Sequence, residues 1–317
     1  MAVGPAVERK EAIPVRIPAR FGAYEATIVL LHGEGVVGVG EAPAIAGRSP
    51  AAAMRAAAEC ARVDLRARAA GLAVSSLLGG ARRDRVECNA LVAAGPPSEV
   101  AREVERAVDA GFRAFKLKAA NGGGLLDLER LGAARWAAGP GPELRLDFNG
   151  RLTEEQAQAV LPALSAFAPV TFEQPLPADA RIGSWSRLGV SPGRLAADES
   201  LADESLAAML AREGFGLAIK LATVGGPAAA VELGARAVGR AWLSSSYETS
   251  IGIAAALHAA CVLEKEPAAC GLATLGLLEN DLAQGLVLEH GHLRLRDGPG
   301  LGIELDRELI ERYRADR

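Results

Sequence analysis

Apolar and polar positions alternate differently in two stretches of the chain. From Ile13 to Pro43 the pattern reads as strand. Residues 24–31 and 36–40 are rich in β-branched side chains, and the polar, glycine-bearing His32-Gly33-Glu34-Gly35 between them predicts a hairpin turn. Gly35, Gly38 and Gly40 do not form G-x-G-x-x-G ahead of a helix, so a hairpin accounts for them better than a dinucleotide-binding loop. Ser49 makes a good N-cap with Pro50 at the first helical position, and an Ala- and Arg-rich helix is expected from there to about Leu72. Leu77-Leu78-Gly79-Gly80 ends this α+β module.

From Val86 onward short apolar runs alternate with amphipathic helices. Strands are expected at 86–92, 114–118, 144–147, 170–173, 195–198, 217–220, 241–244 and 269–272. Helices such as 97–110, 153–167, 201–213, 227–237 and 250–263 fall between them. Eight strand–helix units suit a (β/α)8 barrel of the TIM type, although such barrels are usually larger, at ~250 residues. On pattern alone an open doubly wound sheet fits as well. Residues 287–317 hold short strand-like runs and a charged tail, expected to return to the first module. The chain therefore divides into an α+β module (1–85), an α/β barrel (86–286) and a C-terminal segment (287–317).

The 317 residues suffice for one large and one smaller unit, and 35 basic against 39 acidic side chains give a formal net charge of −4. That balance argues against a nucleic-acid or anionic-membrane binder, since both need a basic excess. Cys60, Cys88, Cys261 and Cys270 form no C-x-x-C pair, which favours reduced thiols over a disulfide or zinc framework. His290 and His292 lie two apart with no other ligand in register, as surface histidines often do. Residues 1–18 carry Glu8, Arg9, Lys10 and Glu11 and no apolar run, so neither a signal peptide nor a membrane span is expected and the protein reads as cytoplasmic. Asn121-Gly122-Gly123-Gly124 after the second barrel strand has the composition of a loop with wide conformational freedom.

The candidate chemistry lies where polar residues end the barrel strands, the end at which barrel enzymes build their sites. Strand two ends Lys116-Leu117-Lys118, whose alternation puts both ammonium groups on one face. Strand three ends in Asp147 with Asn149 beyond it, strand four in Glu173-Gln174-Pro175, strand five in Asp198-Glu199-Ser200, and strand six in Lys220. Asp147, Glu173 and Asp198 are each one βα unit from the next, which predicts neighbouring strands and a common depth. Three clustered carboxylates raise one another's pKa unless a cation neutralises them, and an all-oxygen set selects a hard ion, Mg²⁺ first. A cation there stabilises the charge that forms when a proton leaves beside a substrate carboxylate. Lys118 and Lys220 flank the three carboxylates. Lys116 and the ion together would help keep Lys118 usable as a neutral base. Any of these residues alone is unremarkable, but the ordered set is not.

The order Lys-x-Lys, Asp-x-Asn, Glu-Gln-Pro, Asp-Glu-Ser, Lys resembles the muconate-lactonizing-enzyme branch of the enolase superfamily. Val39-Gly40-Glu41-Ala42-Pro43 and Leu77-Leu78-Gly79-Gly80 resemble that family's capping domain, so the resemblance covers nearly the whole chain. It implies a barrel with an N-terminal α+β cap completed by the C-terminal segment. It also implies Mg²⁺ on Asp147, Glu173 and Asp198, with Lys118 and Lys220 facing each other across a small carboxylate substrate. The segment from Ser244-Ser245-Ser246-Tyr247-Glu248-Thr249 to Gly252, together with Gly271-Leu272-Ala273-Thr274-Leu275, is most similar to o-succinylbenzoate synthases. The Asp-x-Asp of dipeptide epimerases is missing there. The expectation is a hydro-lyase forming 2-succinylbenzoate in menaquinone biosynthesis, with Lys116, Asn149, Ser244 and Ser246 contacting substrate. An N-acylamino acid racemase or dipeptide epimerase is the first alternative, and a barrel serving as a binding scaffold the second. The helical part of the cap and the Arg20-Phe21-Gly22 loop are compact beside those of the family.

Overall fold

A computed structural model describes residues 5–45, 49–119 and 124–315; Asn121, Gly122 and Gly123 of the glycine-rich loop lie outside the described residues. The chain opens with an antiparallel sheet of β1 (Arg9–Ala19), β2 (Gly22–Gly33) and β3 (Val36–Pro43), in that order. Gly33 pairs with Val36, so Glu34-Gly35 is the whole turn, and both residues have the positive φ (52° and 74°) that a type I′ turn requires. Helix α1 (Pro50–Ala69) packs on β3, capped by Ser49, whose side chain accepts from the Ala52 N–H. Gly38 and Gly40 serve this packing rather than the hairpin. A Cβ on Gly38 would lie 2.1 Å from the Ala61 carbonyl oxygen, and one on Gly40 2.0 Å from that of Ala57. The helix stops at Ala69, short of Leu72, where Gly71 turns with φ 64°. A single turn, α2 (Val74–Leu77), follows.

Two short strands, β4 (Arg85–Glu87) and β5 (Ala90–Val92), stand where the pattern predicts one over 86–92. Beyond them run α3 (Pro97–Asp109), β6 (Ala114–Lys118), α4 (Leu125–Ala138), β7 (Glu143–Asp147), α5 (Glu154–Leu164) and β8 (Val170–Glu173). The series continues with α6 (Ile182–Ser186), β9 (Leu195–Ala197), α7 (Glu204–Arg212), β10 (Gly216–Ile219), α8 (Leu221–Val224), α9 (Pro227–Arg236), β11 (Ala241–Leu243) and α10 (Ser250–Val262). Strands β5 to β11 form one parallel sheet in chain order. Residues 269–272, expected as the eighth strand, make single parallel bridges, Cys270 to Cys88 and Gly271 to Ser244, and these join the two edges of the sheet. The architecture is thus the (β/α)8 barrel with its cap, and not the open sheet.

Local chemistry sets the helix ends. Thr153 and Gln156 form a capping box at the start of α5, and the predicted helix to Phe167 tightens into a 3-10 turn after Leu164. Asp203 caps α7, so that helix begins at Glu204 rather than Leu201. The C-terminal segment adds β12 (Ala283–Gln284), β13 (Leu288–Glu289), β14 (His292–Arg294), β15 (Glu304–Leu305) and α11 (Arg307–Arg312). β14 pairs antiparallel with β4, which explains the split: residues 85–87 serve this small sheet and only 90–92 pair with β6. The tail returns to β1, where the Arg16 N–H donates to Tyr313 O and the Ala315 N–H to Pro14 O, both at 2.9 Å. All four cysteines are free and buried, and His292 Nδ1 sits against the His290 carbonyl. Among the described residues no helix is long and apolar enough to cross a membrane.

Candidate active site

Strand alternation and parallel register build the centre of the site. In β6, Phe115 and Leu117 are buried in the apolar core, which leaves Lys116 and Lys118 on the opposite, inner face. Lys118 pairs in register with Asp147, and Asp147 with Glu173, so three charged side chains from three strands share one level. Asp198 follows β9 directly, and Lys220 follows β10. Lys116 Nζ lies 2.6 Å from Glu173 Oε1 and 2.9 Å from Asp147 Oδ2. Lys118 Nζ lies 2.6 Å from Asp147 Oδ2 and 2.9 Å from Asn149 Oδ1, and Lys220 Nζ lies 2.6 Å from Asp198 Oδ2. The structure therefore brings all three carboxylates, all three lysines and Asn149 together.

The three carboxylates are essentially inaccessible, at 0–1% exposure. Burial opposes charge on Lys116, but Asp147, Glu173 and Asp198 outweigh it and hold the ammonium well above the ordinary lysine range. Burial likewise pushes Asp147 upward, and Lys116 and Lys118 more than reverse that, leaving it below the usual carboxylate range. Glu173 goes the other way. Burial raises it, and Lys116 only partly offsets this while Asp147 and Asp198 add repulsion.

A cavity of about 410 Å³ opens over these groups, lined by Lys116, Lys118, Lys220, Asn149, Ser244 and Ser246 among others. A larger cleft of about 700 Å³ lies among α1, α7 and α9, but none of the three carboxylates or three lysines reaches it, so we place the site in the smaller one. Ser246 Oγ is buried with no hydrogen-bond partner among the described residues, and Ser245 Oγ lies 2.9 Å from Thr274 Oγ1. Tyr247, with φ 68°, packs its ring against Phe21 of the β1–β2 turn at 4.8 Å. That contact brings the compact Arg20-Phe21-Gly22 loop to the cavity's edge.

Sequence reasoning gave no role to several residues of the site, some of them quoted only within a motif. Glu199, Arg151, Asn89, Tyr247 and Thr274 line the cavity, and Asn149 Nδ2 reaches Glu199 Oε1 at 3.3 Å. Glu199 adjoins Asp198, and Arg151 follows Asn149 by two, so proximity to a strand end was the available signal. Beside Asn89, fully buried Arg145 donates to Asn89 Oδ1 (3.3 Å) and Ala269 O (2.7 Å) and lies 4.0 Å over the Trp242 ring. Its signal was the run Glu143, Arg145, Asp147, three charges on one face of a strand. Burial would raise Glu143, but Arg145 and Arg240 pull it down to about 2.

The donor set has the chemistry of a hard-ion site: three buried carboxylates on successive strands, with Glu173 Oε2 lacking a hydrogen-bond partner among the described residues. As they stand, no three His, Cys, Asp or Glu side chains among the described residues are gathered closely enough to hold an ion. Each of the three carboxylates faces a lysine ammonium instead. The three carboxylates would suit a divalent cation once the ammonium groups of Lys116, Lys118 and Lys220 yield carboxylate oxygens to it.

The chain is similar to known proteins in sequence and in fold. A family model described as enolase C-terminal domain-like matches residues 99–309. An o-succinylbenzoate synthase of Mycobacterium tuberculosis is 36% identical over 208 residues, 64% of this chain and 62% of the synthase. The chain thus spans less than two thirds of that relative's length. A chloromuconate cycloisomerase of Cupriavidus necator is 30% identical over 299 residues, 90% of this chain and 79% of that protein. The solved muconate lactonizing enzyme from Pseudomonas putida superposes with a TM-score of 0.89 at 26% identity, covering 97% of this chain and 99% of the other.

Proposed function

The chain belongs to the enolase superfamily, in its muconate-lactonizing-enzyme branch, and from that premise we propose that it is an o-succinylbenzoate synthase-like hydro-lyase. The observation that carries the reading is the pair of lysines, Lys118 and Lys220, at the ends of strands two and six of the barrel and each against one of three buried carboxylates. Asp147, Glu173 and Asp198 would hold Mg²⁺, whose charge makes a proton beside a substrate carboxylate easier to remove. The substrate would be a succinyl-hydroxycyclohexadiene carboxylate: Lys118, freed from Asp147, takes that proton and returns it to the departing hydroxyl on the same face, so that water leaves and the cyclohexadiene becomes 2-succinylbenzoate. Lys220 stays an ammonium on the opposite face and offsets the negative charge that develops. Asn149 holds Lys118 Nζ in place, Lys116 neutralises Glu173, and Ser244 and Ser246 receive the succinyl end. In this proposal residues 1–85 and 287–317 form the cap and 86–286 the catalytic barrel.

The test is loss of the cyclohexadiene's absorbance on incubation with purified protein and Mg²⁺, with EDTA as control. Metal-dependent formation of 2-succinylbenzoate is the expected result; no turnover by folded, metal-loaded protein rejects the synthase. One feature favours a second reading: lysines on opposite strands equally suit a two-base transfer that inverts an α-carbon, as in a racemase or epimerase. Solvent deuterium entering the α-position of an N-acylamino acid or dipeptide would mark that activity, and a strict synthase shows none.

A further inference from the structure

Outside the set of three carboxylates and three lysines, another buried carboxylate joins cap to barrel. Glu41, in β3, is 6% exposed and accepts four hydrogen bonds. One comes from within the cap, from Tyr24 Oη at 2.7 Å. The other three come from the start of α10: Thr249 N–H at 3.1 Å, Thr249 Oγ1 at 2.8 Å and Gly252 N–H at 2.9 Å. The first turn of a helix has unpaired N–H groups, so a carboxylate there is well placed. The loop that Thr249 ends is the cavity wall containing Ser244, Ser245, Ser246 and Tyr247. Buried Glu248 accepts from the Ser246 N–H within the same loop, and Ser250 is held by Asp281 through its N–H at 2.9 Å. Gly252 leaves no room for adjustment, since a Cβ there would lie 2.5 Å from Glu248 Cβ and 3.2 Å from Glu41 Oε2.

We infer that Glu41 is a positioning residue: by clamping Thr249 and Gly252 from the cap, it holds the Ser244–Ser246 wall in its substrate-binding shape. It touches no substrate and takes no part in proton transfer. A cap shifted away from α10 would release the wall, so cap placement and binding are coupled through this carboxylate. The titratable groups facing Glu41 are Tyr24 from β2, Glu248 from the loop and, around the same small void, Cys60 from α1. Of these, Glu248 adds to burial in raising the Glu41 carboxyl to about 7, so the clamp titrates near neutrality.

The kinetic half of the test rests on the proposed synthase activity; the other half does not. Glu41→Gln keeps the shape and removes the charge, and Thr249→Val serves if that variant fails to fold, with Thr249→Ser as the conservative rescue. We expect KM to rise about tenfold, the loss of one charge-assisted hydrogen bond, with kcat within about threefold. In the free protein, amide hydrogen exchange should quicken over residues 244–252 and stay unchanged in the barrel strands. A fall in kcat at constant KM, or faster exchange spread over the whole chain, or no change in either, overturns the clamp. If the wild-type protein turns over no cyclohexadiene, the synthase reading fails and exchange alone decides this one.

Discussion

Lys116 sits between Glu173 and Asp147 at 2.6 and 2.9 Å, and no bulk water reaches either carboxylate. Lys116→Met leaves both without that counter-charge, a change expected to cost about 3–5 kcal/mol in the presence of EDTA. Urea denaturation checks it, and a repeat with Mg²⁺ checks the ligand assignment. An ion on these carboxylates should stabilise Lys116→Met more than wild type; equal stabilisation would count against that assignment. Glu41 gives a pH signature of its own. Its carboxyl, raised from 4.5 to about 7 by burial and Glu248, favours the folded state most below 4.5 and loses that contribution as pH rises through about 7. Thermal denaturation of wild type should therefore show stability falling across that window, and Glu41→Gln should flatten this flank. Glu143 has the opposite sign: lowered to about 2, it stabilises above 4.5 and loses that only as pH falls through about 2. Asp147, Glu173 and Asp198 were legible because each stands at a strand end one βα unit from the last. Glu41 was noticed only as part of a motif, because its partners Thr249 and Gly252 lie on the far side of the chain and no local pattern links them.

At the scale of elements, helices and strands with their own caps and alternation were readable, and those defined by distant partners were not. β6 and β8 coincide with the predicted 114–118 and 170–173. The predicted strand over 86–92 breaks because β4 is claimed by β14, a pairing that spans most of the chain. The eighth strand is reduced to single bridges, Cys270 with Cys88 and Gly271 with Ser244, and the first of these joins distant parts of the chain that no local pattern links. The β3–α1 contact tests how tightly these layers are set. Gly40→Ala would drive a methyl to 2.0 Å from the Ala57 carbonyl oxygen, so we expect about 1–3 kcal/mol of destabilisation by urea denaturation. A neutral effect would mean that helix and strand separate freely, and the Glu41 clamp would then lack a rigid base.

For the whole molecule, the alternating pattern suited a barrel and an open sheet alike and the family resemblance implied the barrel, while its closure and the seating of the cap came from contacts that only the folded chain displays. The tail bonds β1 through Tyr313 and Ala315, Phe21 meets Tyr247, and Glu41 meets α10, so cap and barrel enclose the cavity between them. The floor of three carboxylates and three lysines belongs to the barrel alone, while the serine wall depends on both parts. Within this arrangement the proposed reaction depends on Lys118. In the free site it is tied to Asp147 and Asn149, and in the proposed reaction it leaves Asp147 to take a proton. The decisive measurement is turnover of the cyclohexadiene by Lys118→Ala beside its affinity for 2-succinylbenzoate. Turnover should fall by about 10²–10⁴ while the product still binds; a variant that binds product and retains turnover within about tenfold of wild type would contradict the role proposed for Lys118.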